Sequence, residues 1–335
     1  MKQTHFISRL ALGTLLVVSA GCSRDLQPDP DPGPRFAVNF SVPAIEGLPE
    51  VAPAANAAQT KAALADRTTV RVVAYRVTAG GVCSAAYAGE QTYVADASGV
   101  LSPCTVTNQG GYLADAPGDA LRLTSGSYQF CAITPALPLG ADHTTVSVSH
   151  GVDYAASVTD NGGSGIMIDQ ASASGKSITL TTLQRQCVKI QLVVTRDATA
   201  TNITAVGIAG SVTLSYLSTA PLYATAGLPL VPTEVPLETS RFWVESDAFT
   251  QNDDVTATST ICVLPKVKAD MGLSFSLATT IDGTPSTKTV AGKVSDIELK
   301  AGGSYLFTLT LTSPGATLTV TDWIDGGTQD NDMGV

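Results

Sequence analysis

Cysteines, histidines and acids are the residues of this chain that could ligate, acylate or cleave, and their spacing excludes most of the usual chemistries. Cysteines stand at Cys22, Cys83, Cys104, Cys131, Cys187 and Cys262, and histidines at His5, His143 and His150. No Cys-x-x-Cys occurs, so a zinc site is poorly supported. No Gly-x-Ser-x-Gly elbow, phosphate-binding glycine loop or dinucleotide fingerprint is present. His143 and His150 lie in strand-rich sequence without a paired nucleophile and read as ordinary surface or edge residues. Asp253-Asp254 and the pair Asp322 and Asp325 could be imagined as glycosidase carboxylates, but acids in turns are the commoner explanation. The acidic tail from Asp325 to Asp332 lacks the loop spacing of an EF-hand and reads as solvated. The two tryptophans and nine tyrosines do not cluster into a sugar-stacking platform. The sequence therefore predicts no catalytic residue, no metal and no cofactor.

One cysteine does carry a chemical signature. Lys2 and Arg9 precede an apolar run from Leu10 to Val18, followed by Ser19, Ala20, Gly21 and Cys22. A charged start, a short apolar core and small residues make a secretory signal peptide over residues 1–21. The Ser-Ala-Gly-Cys ending resembles a lipobox, although an aliphatic residue is usual where Ser19 stands. That likeness implies cleavage before Cys22 and acylation of its thiol and new amine. Several acyl chains bury enough methylenes to anchor a protein stably at a membrane surface.

Five cysteines remain, an odd number that cannot all pair within one chain. An exported chain can form disulfides. Cys83 and Cys104 bracket a short turn-rich stretch and are the first candidate pair. The other reading is that most of the five are small buried residues.

Bulk composition narrows the class further. Loss of residues 1–21 leaves 314 of the 335 residues and removes Lys2 and Arg9, so 17 basic residues face 29 acidic ones, a net charge of −12. A chain so acidic is repelled by nucleic acid. Only 14% of residues are charged and 44% are hydrophobic, enough apolar surface to bury a core.

The elements that would position any site are strands. Residues 22–35 alternate proline with acids and read as an extended tether above the lipid. In Phe36–Val42 the residues Phe36, Val38, Phe40 and Val42 share one face, while Ala37, Asn39 and Ser41 share the other, the period of a half-buried strand. An alanine- and proline-rich loop then runs to Asp66-Arg67. A strand at Thr68–Val77 follows, and short strands recur between glycine-rich turns at Gln91–Ala95, Ala120–Leu123, Ser127–Thr134, Thr144–Val148 and Tyr154–Val158. A second series covers Ile178–Thr182, Cys187–Thr195, Val206–Tyr216, Thr256–Leu264, Leu273–Ile281, Ser286–Val290, Ser304–Thr312 and Thr317–Ile324. Many short strands without helical periods predict an all-β sandwich architecture. The Ser172-Ala173-Ser174-Gly175 stretch marks a boundary between a domain at 36–175 and a second at 176–335.

Four of these stretches together resemble the fimbrillin family, the lipoprotein subunits of type V pili. They are the lipobox at Cys22; the strand Phe36–Val42 with its loop to Arg67 and the strand after it; Ile178–Val194; and Ser304–Leu311 followed by the final strand from Thr317 to Trp323. The likeness covers most of the chain as spacing and pattern. It implies two transthyretin-like β-sandwich domains in tandem. It also implies an assembly route: the lipoprotein reaches the outer membrane surface, a trypsin-like protease cuts after a basic residue, and the first strand departs with its lipid. Arg67 matches the cleaved position, with Lys61 as second choice. The displaced strand would carry Phe36, Val38, Phe40 and Val42. A donor strand within residues 316–335 of the next subunit, with Leu318, Val320 and Ile324, would fill the groove. Beyond Trp323 the tail is more polar than a stalk donor, so stalk, tip and accessory roles stay open, and the receptor would be a host protein or glycan. The alternative is a surface glycan-binding lipoprotein of a nutrient uptake system, which should display a row of exposed aromatics.

Overall fold

A computed structural model describes residues 33–46, 61–62, 64–77, 86–108, 113–146, 148–172, 175–218, 222–223, 239–313, 315–322 and 328–333. The chain is all-β: among the described residues the helical pieces are 3-10 turns at Gln170–Ser172 and Ser246–Ala248. The first strands are β1 Phe36–Ser41, β2 Ile45–Glu46, β3 Lys61–Ala62, β4 Thr69–Arg76, β5 Ala86–Ala95, β6 Val100–Asn108, β7 Leu113–Pro117, β8 Leu121–Leu123, β9 Gly126–Thr134, β10 Thr145–Val146, β11 Ala155–Thr159, β12 Ile166–Ile168, β13 Lys176–Thr179 and β14 Leu183–Arg185. They are followed by β15 Val188–Arg196, β16 Ile203–Ile208, β17 Val212–Ser215, β18 Leu222–Tyr223, β19 Arg241–Val244, β20 Thr250–Asp253, β21 Thr256–Val263, β22 Lys266–Ile281, β23 Thr284–Leu299, β24 Ser304–Leu311, β25 Ala316–Asp322 and β26 Thr328–Met333.

Except for β10, the strands up to β14 make one sheet in the order β13-β1-β6-β5-β4-β9-β11-β14-β2-β3, with β8, β7 and β12 pairing at β1, β6 and β9. This order has a geometric consequence. β1 lies near one end and β2 near the other, yet only Val42, Pro43 and Ala44 separate them. Three residues reach on the order of 10 Å, so the two ends of the sheet are neighbours in space. The sheet therefore curls over on itself, and the segment from Phe36 to Glu46 passes from one end to the other. Residues 176–185 make the same passage beside it: β13 runs parallel to β1, and β14 parallel to β2. Alternating apolar residues along these strands face the enclosed core of Val38, Phe40, Val72, Tyr93, Phe130, Ile178 and their neighbours.

The later strands form a six-stranded sheet, β20-β21-β15-β24-β25-β26, and a five-stranded sheet built around β22, which is flanked by β16, β17 and β23. Alternation in Val188, Ile190, Leu192 and Val194 on β15, and in Tyr305, Phe307, Leu309 and Leu311 on β24, sends their side chains into a second core with Leu273, Phe275 and Leu277 of β22. A third cluster combines Val73, Tyr75, Cys131, Ile133 and Tyr154 of the first group with Cys187 and Leu264 of the second. Residues Gly33–Val335 form one compact unit. The junction is hydrogen-bonded as well as apolar: Gly151 N–H donates to Cys262 O at 2.7 Å, and Leu264 N–H donates to His150 Nδ1 at 3.2 Å.

Several strands depart from the sequence expectation. Residues 206–216 are two strands, because the chain leaves the ladder between Ile208 and Val212 to pair with different stretches of β22. The strands expected at 273–281 and 286–290 are the ends of a long hairpin, β22–β23. The acidic tail, read as solvated, forms β26 and pairs with β25 from Thr321↔Thr328 to Ala316↔Met333. Residues 176–185, assigned from sequence to the second domain, hydrogen-bond into the first sheet.

Candidate functional site

The first strand is seated between partners on both sides. On one edge, Val38, Asn39, Phe40 and Ser41 lie opposite Lys176, Ser177, Ile178 and Thr179 in parallel. On the other edge, Phe36, Ala37 and Val38 oppose Leu123, Arg122 and Leu121 of β8, and Phe40 and Ser41 oppose Leu101 and Val100 of β6. The parallel ladder continues past the strand: Leu180 N–H donates to Ser41 O at 2.8 Å and Leu183 N–H donates to Ala44 O at 3.1 Å. Parallel pairing of segments 138 residues apart leaves no local trace in sequence, because neither segment encodes its partner.

The alternation read from the sequence is the one observed. Phe36, Val38, Phe40 and Val42 are buried, and Asn39 is exposed between them. Phe40 is the centre of an aromatic cluster, edge-on to Tyr93 with ring centroids 5.4 Å apart and to Phe130 at 5.2 Å. Val42 N–H donates to Gly99 O at 2.9 Å. Gly99 has φ +81°, and a Cβ there would collide with the Val42 carbonyl oxygen. Only glycine makes that turn and that approach together.

Arg67 lies on an exposed turn immediately before β4 and has φ 65°. Its N–H donates to Ala95 O at 2.9 Å, and Thr68 N–H donates to Ala65 O at 3.1 Å. The side chain is open to a protease, while the backbone is folded in a left-handed turn. Proteases bind extended chain, so cleavage at the Arg67–Thr68 bond requires these hydrogen bonds to open. Lys61 stands opposite Glu46 on β3, the last strand of the sheet. The loop expected to be wholly exposed up to Arg67 ends instead in this short strand and in Leu64, which is buried in the same core as Phe40. Sequence reasoning missed Leu64 because alanines and the patternless stretch around it conceal a single inward residue.

The donor candidates sit inside their own half of the molecule. Leu318 is fully buried in the second core, and β25 lies between β24 and β26. Val320 stands opposite Phe307 and Gln329 in those ladders. Ile324 lies outside the described residues. For Leu318 to donate, β25 has to leave the core that it helps to build.

Cys22 and Cys83 lie outside the described residues, so neither the lipid site nor the expected Cys83–Cys104 pair is placed; Cys104 is buried opposite Pro117 of β7. The fold brings a different pair together, Cys187 and Cys262, beside Asp153. The two described histidines, His143 and His150, pack against neighbouring rings and backbone. His143 stacks on Tyr87 with centroids 4.0 Å apart. His150, read from sequence as a surface or edge residue, is held at the junction, where burial lowers its pKa to about 4 against the opposing effect of a hydrogen bond with the Ser218 backbone. Asp253 caps its own turn, accepting from Val255 N–H at 2.8 Å. Lys266, which the sequence did not single out, is buried with its ammonium donating to the carbonyls of Val267, Ala269 and Ile297. Trp243, on the edge strand β19, is the one aromatic among the exposed large hydrophobic side chains of the described residues.

The described residues thus make an all-β protein with packed apolar cores, in which the alternating first strand is hydrogen-bonded on both edges. The sequence pattern of the fimbrillin-like family matches residues 35–325, and the chain belongs to that family. The family is one of fimbrial structural subunits rather than enzymes, and membership places the chain at the cell-surface fimbrium. A proposed cell adhesion protein from Bacteroides fragilis NCTC 9343 shares the fold, with 19% identity, a TM-score of 0.59, and coverage of 85% of this chain and 97% of that one. Another from Bacteroides ovatus ATCC 8483 has 15% identity and a TM-score of 0.50, with 90% and 99% covered. No curated protein matches the chain in sequence.

Proposed function

We propose that this chain is a lipid-anchored fimbrial subunit that assembles by protease-triggered strand exchange and serves adhesion. Residues 1–21 direct export, Cys22 carries lipid at the outer membrane, and residues 22–35 form the tether. A protease cuts after Arg67, and the segment up to that residue leaves. The next subunit supplies a strand to the groove. Its candidates are Leu318, Val320 and Ile324 of residues 316–335. Its place as stalk, tip or accessory subunit follows from how readily that polar-ended segment detaches. On this reading the two sandwich halves are tandem domains packed into one unit, and the receptor is a host protein or glycan.

The observation that carries this reading is the seat of β1. Its removal strips hydrogen bonds from β13 on one edge and from β6 and β8 on the other. An incoming strand would restore both ladders, which an edge strand's site could not offer. The departing fragment also takes Phe36, Val38, Phe40, Val42 and Leu64 out of the core. Buried apolar side chains of this kind contribute roughly 1.5–3 kcal/mol each, so the vacated groove strongly favours a replacement of matching alternation.

The test is limited trypsin digestion of the purified full-length protein, with sequencing of the new N-terminus and electrophoresis without boiling. A start at Thr68 and a ladder of heat-resistant oligomers are expected. A chain cut at Arg67 that loses residues up to 67 and stays monomeric would overturn the assembly route.

A further inference from the structure

The thiols of Cys187 and Cys262 stand in one arrangement that the family resemblance does not explain. β15 and β21 pair antiparallel with Lys189 opposite Cys262 and Val188 opposite Val263. Cys187, one residue ahead of that ladder, is thus the diagonal neighbour of Cys262 on the same face. Both sulfurs and a carboxylate oxygen of Asp153 lie within 4.8 Å of one another. The Cys187 thiol donates to Asp153 Oδ1 at 3.3 Å. Arg185 grips the same carboxylate with both Nε and Nη2, at 2.5 and 2.6 Å. Cys187 is fully buried, and Cys262 is partly exposed.

We propose that Cys187 and Cys262 are a dithiol that closes to a disulfide at the junction of the two sheet groups. The assignment rests on the thiol geometry alone and does not depend on strand exchange. Cys187 lies outside the β15–β21 ladder, so bringing the sulfurs to bonding distance works against the hydrogen bond that Gly302 N–H donates to Cys187 O at 3.0 Å rather than against a β15–β21 pair. A metal fits less well. Two thiolates and a carboxylate would suit zinc with an open position, but the Asp153 carboxylate is already occupied by a guanidinium, whose charge opposes a cation.

The chemistry needs an external disulfide, such as glutathione disulfide, as oxidant. The accessible Cys262 is the attacking sulfur. When the Cys187 S–H turns from Asp153 to the Cys262 sulfur it lowers the pKa of that thiol, with Arg185 and Lys189 adding to the effect against burial and Asp153. The Cys262 thiolate bonds to one sulfur of the oxidant, the oxidant's S–S bond breaks, and one small thiolate leaves. The neighbouring Cys262 sulfur and burial raise the Cys187 pKa; once Cys262 is bonded to the oxidant its charge is gone, and the Cys187 thiol loses its proton to solvent. Its sulfur attacks the Cys262 sulfur of the mixed disulfide and expels the second thiolate. The protein loses two electrons, and the oxidant becomes two thiols.

The full-length protein, reduced and then incubated with glutathione disulfide while folded, is alkylated, digested with trypsin and mapped without reductant. Cleavage at Arg185, Lys189, Arg241 and Lys266 isolates residues 186–189 and 242–266. The expected product is these two peptides joined, lighter than their sum by two hydrogens, and absent from Cys262→Ala. Recovery of both peptides separately, each alkylated on its cysteine, would overturn the proposal. So would protection of both thiols by stoichiometric zinc without loss of mass. The wild-type map decides the matter even where a cysteine variant fails to fold.

Discussion

Phe40 meets Phe130 edge to face, with ring centroids 5.2 Å apart and planes at 65°. One ring belongs to the strand proposed to leave, and the other to β9 in the body of the sheet. The contact makes the first strand part of the core in the subunit as it stands, so its departure has a measurable cost.

Phe40→Ala is therefore expected to lower stability by about 3–5 kcal/mol, the usual range for an aromatic cut from a closed core. Asn39→Ala, one residue away on the exposed face, should change it by less than about 0.5 kcal/mol. Urea denaturation of the two variants checks the contrast. Equal effects would contradict the alternation on which the groove rests.

Arg67→Gly should leave the fold intact and block trypsin at that bond. The left-handed backbone at residue 67 suits glycine better than arginine, so a gain of up to about 1 kcal/mol is expected from relief of that conformation. Thermal melts and digestion time courses measure both effects. Cutting that persists and shifts to Lys61 would make the second site the operative one.

Gly99→Ala should weaken the seat of the first strand. The substitution places a side chain at φ +81° and against the Val42 carbonyl oxygen. A loss of roughly 2–4 kcal/mol is expected, as for other side chains forced into such a conformation with a clash. After cleavage at Arg67, the fragment should leave the variant faster than it leaves the wild type, as followed by size-exclusion chromatography.

Acid should weaken the junction at His150. Burial lowers its pKa from the ordinary 6.5 to about 4 in the folded chain. Between those values the unfolded chain binds the extra proton, so this contribution is fully present above about pH 6.5 and fades as the pH falls towards 4. The loss is on the order of 3 kcal/mol. In His150→Asn, a non-titrating side-chain oxygen replaces the acceptor for Leu264 N–H. Its melting temperature should fall less than that of the wild type between pH 7 and pH 4.5.

The outline of the molecule was legible because burial on one face of a strand imposes a period of two. Phe36–Val42, Cys187–Thr195 and Ser304–Thr312 each show it, and each is a strand or nearly so. Arg67 stood out as a basic residue ending a loop, and its exposed turn agrees with that position. Leu64 was hidden, since one inward residue makes no pattern. Gln251–Asp253 and the tail at 328–333 were passed over as strands because polar edge strands carry no apolar signal.

By itself, then, the sequence determined the all-β class, the inward face of the first strand and the absence of the familiar catalytic motifs, all properties written in neighbouring residues. Tertiary structure alone decided that β13 is the partner of β1, that Leu318 belongs to its own core, and that Cys187 meets Cys262. These relations join residues between 75 and 138 positions apart, or depend on how sheets pack. They follow from which ladders and apolar surfaces close together in the whole chain, a choice that no single segment encodes.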